Sequence, residues 1–176
     1  MDRAVKRYII PSIMVIVIAS AAYLFWAHDR APPEAAENAP IGVTAGYRAR
    51  DLVLTGLDGE TIKLSDYLGD IFIIDFMAPW CNPCKEQTKI LRDVEGTPGV
   101  MIISINVDPD YNATFLQKFK EREGMNWPLA SSPELAQHYK VTAIPLIILV
   151  DKEGVIRYRG YYTSLIQLEQ LIKDNG

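Results

Sequence analysis

The only two cysteines of this 176-residue chain, Cys81 and Cys84, are separated by Asn82 and Pro83. They follow closely on a largely apolar run, residues 71–76, which is typical of a buried strand. Residues 85–94 have the pattern of a helix. A cysteine pair at such a junction places a thiol at a helix N-terminus, where backbone N–H groups and the helix dipole favour the thiolate. The pair therefore predicts thiol–disulfide exchange.

Two other uses of a cysteine pair fit this sequence less well. A structural disulfide stabilises a fold more when it closes a long loop, and this loop encloses only two residues. A structural zinc site needs four ligands, but the chain has no second cysteine pair, and its two histidines, His28 and His138, are far apart. We therefore expect a redox-active pair and no metal.

An uncharged N-terminal segment, residues 8–27, predicts a membrane anchor. Its 20 residues would span about 30 Å as a helix, which matches the hydrocarbon core of a bilayer. Positive charge precedes the segment at Arg3, Lys6 and Arg7, and little follows it. The positive-inside rule then places residues 1–7 in the cytoplasm. We expect a single-pass protein of the cell membrane whose catalytic domain is extracytoplasmic.

A cleaved signal peptide is the alternative to a retained anchor. Ala19-Ser20-Ala21 has the small-residue spacing that a signal peptidase uses. The apolar stretch continues beyond it through Trp26, which is longer than a typical signal-peptide core, so we favour the anchor. Residues 28–46 are rich in Ala, Pro and Glu and predict a flexible linker to a folded domain at residues 47–176.

Alternating strand and helix patterns predict a three-layer α/β fold with a mixed sheet of about five strands. Asp58-Gly59 between two short apolar stretches predicts an N-terminal β-hairpin. A helix between two apolar strands, residues 71–76 and 100–107, predicts a parallel strand–helix–strand unit. The remaining expected elements are helices at 112–123, 133–139 and 165–173 and strands at 127–129, 146–150 and 155–158.

Composition excludes one class of partner. The formal net charge is −4, and no basic stretch is interleaved with aromatic residues, so nucleic acid is not an expected partner. The chain has no motif for a metal, a nucleotide or a flavin, and we expect no cofactor.

Two separate motifs resemble the thioredoxin superfamily. The segment Asp75-Phe76-Met77-Ala78-Pro79-Trp80-Cys81-Asn82-Pro83-Cys84-Lys85 is similar to the active-site segment of thioredoxins, with Met77 in place of the usual Trp. Downstream, Ala143-Ile144-Pro145 is similar to the cis-proline loop. The anchor, the hairpin and a predicted central insertion at Pro109–Ser132 are similar to the membrane-anchored TlpA/ResA-like group. The resemblance covers residues 45–176.

The cysteines have distinct expected roles. Cys81 comes first, at the exposed mouth of the helix, and is expected to be the attacking nucleophile. Cys84 lies one turn further in and is expected to resolve the mixed disulfide. Asn82 and Pro83 are expected to tune the thiol pKa and the reduction potential. This dipeptide resembles that of reducing members of the superfamily more than that of strong oxidants.

Asp75 interrupts an apolar strand, so burial should raise its pKa. The resemblance implies that Asp75 is the general acid/base for Cys84. The alternative is an aspartate that faces solvent at the end of the strand.

The resemblance also implies three substrate-binding residues. Pro145 would follow a cis peptide bond beside the cysteines, and the backbone of Ile144 would pair with an extended substrate segment. Trp80 would provide an apolar docking surface. The alternatives are an ordinary trans proline and a core tryptophan. Trp127 and His138 are expected to be structural.

These expectations combine into one function with two alternatives. We expect a membrane-tethered thiol–disulfide oxidoreductase that reduces disulfides of exported proteins, with electrons from a membrane thiol carrier. The resemblance suggests apocytochrome c as a candidate substrate. A copper-binding or copper-delivery module on the same fold is the first alternative, although such modules typically add a third ligand and space their cysteines by three residues. The other is a peroxidase-like relative, which would need a single peroxidatic cysteine in a Thr-rich loop.

Overall fold

The structure is a computed structural model that describes residues 38–176. The predicted anchor at residues 8–27 and residues 28–37 of the predicted linker lie outside the described residues. Between residues 38 and 176, no helix has both the length and the apolar character needed to cross a membrane.

Nine strands and four helices make up the described part of the chain, with a 3₁₀ turn at Leu64–Tyr67. The strands are β1 (Ile41–Gly42), β2 (Arg48–Ala49), β3 (Val53–Thr55), β4 (Thr61–Lys63), β5 (Ile71–Met77), β6 (Val100–Asn106), β7 (Leu129–Ser131), β8 (Leu146–Val150) and β9 (Ile156–Gly160). The helices are α1 (Asn82–Val94), α2 (Ala113–Arg122), α3 (Pro133–His138) and α4 (Leu165–Asn175).

The main sheet has five strands in the order β7-β6-β5-β8-β9. Strands β5, β6 and β7 are parallel, whereas β8 is antiparallel to β5 and β9 is antiparallel to β8. The predicted five-stranded mixed sheet is confirmed. The predicted hairpin is present as the antiparallel pair β3–β4.

The two faces of the sheet bury separate apolar clusters, because side chains alternate along each strand. One face packs against the hairpin and α3. The other face packs against α1, α2 and α4, and its cluster contains both cysteines. We call this second group the cysteine-face cluster. The predicted three layers are therefore present, but one outer layer consists largely of the hairpin and a short helix.

The strand register places three neighbouring residues on the cysteine face. Asp75 of β5 lies opposite Ser104 of β6 and opposite Ile147 of β8. On β5 it alternates with Ile74 and Phe76, which belong to the cluster of the other face. The sheet thus directs the Asp75 side chain into the layer that holds the cysteines.

Two predicted boundaries differ from the structure. Residues 41–46 lie within the predicted linker, yet β1 pairs with β2, and the Gly46 N–H donates to the Ile156 carbonyl over 2.8 Å. Composition does not reveal such backbone bonds, so the predicted domain start at residue 47 is too late. The edge strand predicted at 127–129 begins two residues later, at Leu129 of β7, because Pro128 has no N–H for a ladder.

Replacing Ile74 with alanine should lower the free energy of unfolding by about 2–5 kcal/mol, because the side chain is fully buried and its loss leaves a cavity. Ile166→Ala is the matched control: this isoleucine is 81% exposed, and its loss should change stability by no more than about 0.5 kcal/mol. Urea unfolding of the whole oxidised chain in detergent micelles measures both. Equal losses in the two variants would contradict the assignment of the core.

Candidate active site

The cysteine pair lies at the N-terminus of α1. Cys81 is the N-cap residue, and it is bonded to Cys84 in a disulfide with a Cα–Cα distance of 5.2 Å. The Cys84 backbone N–H donates to the Cys81 sulfur over 3.1 Å. Pro83 occupies the first turn, where the helix leaves N–H groups without an intrahelical partner. The predicted helix-terminal position of Cys81 is confirmed, and it provides a backbone donor for a thiolate.

Cys81 is less accessible than its position at the helix mouth predicted. Its relative exposure is 3%, against 0% for Cys84. The expectation of an exposed Cys81 is wrong in degree, because the surrounding chain packs over both sulfurs in the cysteine-face cluster. The order of access is as predicted, since some surface of Cys81 alone reaches solvent. Asn82 and Pro83 are exposed beside it.

Asp75 has no exposed surface. Its Oδ2 accepts a hydrogen bond of 2.8 Å from the Ser104 hydroxyl, whereas its Oδ1 has no hydrogen-bond partner among residues 38–176. Burial raises the pKa of the Asp75 carboxyl to about 7, although the bond from Ser104 lowers it. The predicted raised pKa is confirmed, and a solvent-facing aspartate is excluded. Near neutral pH this carboxyl can both take up and release a proton.

The cis-proline loop lies next to the cysteine layer. The Ile144–Pro145 peptide bond is cis, as the resemblance implied. Ile144 is half-buried and packs against the cysteine-face cluster, and Pro145 is buried directly before β8. The structure thus brings the loop and the disulfide to the same region of the domain.

Trp80 provides an exposed aromatic surface directly before Cys81. Its relative exposure is 58%, which excludes the alternative of a core tryptophan. The indole Nε1–H donates to Asp108 Oδ2 over 2.7 Å, and this bond fixes the ring. Asn106 holds the Asp108 loop in turn, because its Nδ2 donates to the Asp108 carbonyl over 2.7 Å.

Sequence reasoning missed two buried polar contacts of the site. Ser104 donates to Asp75, and Gln87 of α1 pairs with the backbone of Thr163 through bonds of 2.7 Å and 3.2 Å. Ser104 interrupts an apolar strand as Asp75 does, so the same signal could have found it. The partner of Gln87 is 76 residues away, and no local pattern indicates it.

With this geometry established, comparison with known proteins assigns the family. The AhpC/TSA family matches residues 45–159. The chain belongs to the AhpC/TSA family. It is an enzyme of the thioredoxin-like thiol–disulfide oxidoreductase class, and its fold is the thioredoxin-like α/β fold.

Two similar proteins are named as thiol-disulfide oxidoreductases. The thiol-disulfide oxidoreductase ResA of Geobacillus kaustophilus is 31% identical over 121 residues, which are 65% of this chain and 68% of the relative. ResA of Geobacillus thermodenitrificans is 28% identical over 162 residues, 89% of this chain and 86% of the relative.

Solved structures of similar proteins have the same fold. A Chlorobium tepidum protein named thiol:disulfide interchange protein DsbE has a TM-score of 0.68 at 25% identity, covering 76% of this chain and 99% of its own. A thioredoxin-like protein from Aeropyrum pernix has a TM-score of 0.61 at 29% identity, and the match covers 70% of this chain and 89% of that protein.

Asp75→Asn should stabilise the oxidised chain at pH 8 and have little effect at pH 4. The folded carboxyl titrates at about 7 instead of its usual 3.8, so from about pH 4 to pH 7 the native state holds a proton that the unfolded state has lost. Stability therefore falls as the pH rises through this window, by roughly 4 kcal/mol in total. The amide is neutral at every pH and still offers Ser104 an acceptor. Urea unfolding at both pH values is the measurement, and an equal effect at pH 4 and pH 8 would show that Asp75 has an ordinary pKa.

Proposed function

We propose that this enzyme is tethered to the cell membrane by residues 8–27 and reduces disulfides of exported proteins on the extracytoplasmic side. The observation that carries the chemistry is the bonded pair of cysteines with Cys81 as the N-cap of α1. The uncharged N-terminal segment and the basic residues before it support this location. Disulfides form mainly in extracytoplasmic compartments, which is where an enzyme that reduces them would act.

The first step uses the Cys81 thiolate of the reduced enzyme. It attacks a substrate disulfide, forms a Cys81–substrate mixed disulfide and expels the other substrate sulfur as a thiolate. The Cys84 N–H, which lies 3.1 Å from the Cys81 sulfur in the oxidised state, stabilises negative charge on that sulfur together with the helix dipole.

The second step needs a thiolate at Cys84, which has no exposed surface. Burial disfavours the charged form, so a nearby base is required. Asp75 removes the Cys84 proton, and the Cys84 thiolate then attacks Cys81. The intramolecular disulfide forms, and the second substrate sulfur leaves as a thiolate. Asp75 lies on the sheet face that packs against Cys84 and exchanges protons near neutral pH.

The substrate segment binds beside the disulfide. The backbone of Ile144, before Pro145, pairs with an extended substrate chain. Trp80 provides an exposed apolar surface, and its ring is held by the hydrogen bond to Asp108. This arrangement recognises a protein segment around a cystine more than a small molecule.

Asn82 and Pro83 support the proposed direction of exchange, which is reduction of the substrate. This dipeptide resembles that of reducing members of the superfamily. A membrane thiol carrier would return electrons to the Cys81–Cys84 disulfide. Apocytochrome c with oxidised haem-binding cysteines is the candidate substrate that the resemblance suggests.

Copper binding is the alternative function. In the described part of the chain, no three side chains of His, Cys, Asp or Glu gather closely enough to hold a metal ion. The cysteines are spaced by two residues, whereas the copper modules considered above typically space them by three.

Cys84→Ser should accumulate mixed disulfides through Cys81 in intact cells, because the resolving thiol is absent. Cys81→Ser is the matched control and should capture little, since Cys84 is fully buried. Non-reducing electrophoresis with identification of the captured proteins is the measurement, and we expect exported proteins. Capture through Cys84 would invert the roles, and cytoplasmic partners would contradict the proposed location. Tight copper(I) binding with no capture would favour the alternative function.

Asp75→Asn should slow resolution at pH 7 on the order of 10²-fold, because the Cys84 proton then has no base. In the wild type the rate should rise with pH around a midpoint near 7, the pKa of the carboxyl, and the variant should lose this midpoint. Stopped-flow release of the second thiol from a chromogenic aryl disulfide gives the rate. A variant whose pH profile matches the wild type would reduce Asp75 to a structural residue.

A further inference from the structure

A chain of hydrogen bonds extends from Asp75 to the connection between α2 and β7. Trp127 Nε1 donates to Ser104 Oγ over 2.9 Å, and Ser104 Oγ donates to Asp75 Oδ2 over 2.8 Å. Ser104 and Trp127 are 0% and 3% exposed. We call these three residues the Asp75 hydrogen-bond chain. Trp127, which the sequence predicts to be structural, is thus connected through the Ser104 side chain to Asp75, the proposed acid/base.

The direction of these bonds is fixed by the groups that make them. An indole N–H can only donate, so the Ser104 oxygen is the acceptor of the first bond. A hydroxyl has one proton, and Asp75 Oδ2 is the acceptor that the described residues offer it. Trp127 therefore holds the Ser104 hydroxyl as a donor to the carboxyl.

This direction determines where Asp75 carries its proton. If Asp75 Oδ2 carried the proton and donated it to Ser104, the Ser104 hydroxyl proton would lose Oδ2 as its acceptor. Because both residues are fully buried, solvent could not replace that acceptor. Oδ1 has no hydrogen-bond partner within residues 38–176, so a proton there breaks no existing bond. Protonation on Oδ1 is thus the arrangement that keeps both bonds of the chain.

We propose that Ser104 and Trp127 are positioning residues that keep Oδ2 of Asp75 as a fixed acceptor, so that the exchangeable proton is carried on Oδ1. This inference rests on the proposed role of Asp75 as the base for Cys84. Ser104 also stabilises the ionised carboxylate, because a hydrogen bond to a charged acceptor is stronger than one to a neutral acceptor. Ser104 and Trp127 thus determine which oxygen of Asp75 binds the proton and the pH at which that proton is released.

Within residues 38–176, no charged side chain is among the causes that shift the pKa of Asp75. The neighbouring strands present Ser104 from β6 and Ile147 from β8, and neither is titratable. The titratable groups of the cysteine-face cluster are Cys81 and Cys84 of α1, whose sulfurs are joined in the oxidised state, and two tyrosines, Tyr111 and Tyr158, pack against it. Desolvation and the Ser104 bond are the two causes that act on the Asp75 carboxyl.

The test measures the pH midpoint of the resolution step in whole-chain variants. Ser104→Ala should raise the midpoint by about one pH unit, the shift expected for loss of a hydrogen bond to an ionised group. Trp127→Phe keeps an aromatic ring but lets the hydroxyl turn, and it should raise the midpoint by less. Ser104→Thr keeps a hydroxyl and should restore the wild-type midpoint.

Phe119→Leu is the matched control, because Phe119 is buried in the cysteine-face cluster and its side chain makes no hydrogen bond. It should lower stability and leave the midpoint unchanged. An unchanged midpoint in both Ser104→Ala and Trp127→Phe would overturn the inference. An equal shift in Phe119→Leu would also overturn it, because the effect would then come from packing alone.

A second readout separates this inference from the proposed function. The pH dependence of urea unfolding, compared for each variant with and without Asp75→Asn, gives the Asp75 titration without catalysis. If Asp75→Asn leaves the rate profile unchanged while Ser104→Ala shifts the unfolding profile upward, the proposed function fails and the hydrogen-bond chain stands. If Asp75→Asn abolishes the rate midpoint and Ser104→Ala shifts neither profile, the chain fails and the function stands.

Discussion

The burial of one carboxyl group sets the pKa on which the proposed chemistry depends. Asp75 lies in the central strand of the sheet, with a strand on either side and the cysteine helix packed over its face. Removing a carboxylate from water costs several kcal/mol unless hydrogen bonds compensate. Residues 38–176 offer Asp75 one side-chain hydrogen bond and leave its Oδ1 without a partner. This desolvation cost raises the pKa of the Asp75 carboxyl to about 7, which is the value that a general acid/base needs at neutral pH.

Buried and surface polar contacts hold the rest of the candidate site. The N-terminus of α1 holds the disulfide, and the Gln87–Thr163 bonds join this helix to the segment before α4. The Trp80–Asp108 bond holds the exposed indole ring of the residue before Cys81. Buried polar contacts of this kind connect residues distant in sequence, so they fix the relative positions of the helix, the sheet and the loops.

Local patterns were sufficient to predict most of the fold and the positions of the cysteine pair and Asp75. Apolar runs located β5, β6 and β8, and the polar interruption at Asp75 indicated a buried carboxyl group with a raised pKa. Contacts between distant residues were not predictable: Trp127 bonds to Ser104 across 23 positions, and Gly46 bonds to Ile156 across 110. Composition assigned the residues before β2 to a linker because backbone pairing leaves no compositional signal.

In the oxidised enzyme, burial keeps the Asp75 carboxyl neutral up to about pH 7. Carboxyl ¹³C NMR titration of the whole oxidised chain, with Asp75→Asn to assign the resonance, measures this directly. The account predicts one aspartate resonance with a midpoint near pH 7 that is absent from the variant. A spectrum in which the resonance removed by Asp75→Asn titrates near pH 4 would contradict it.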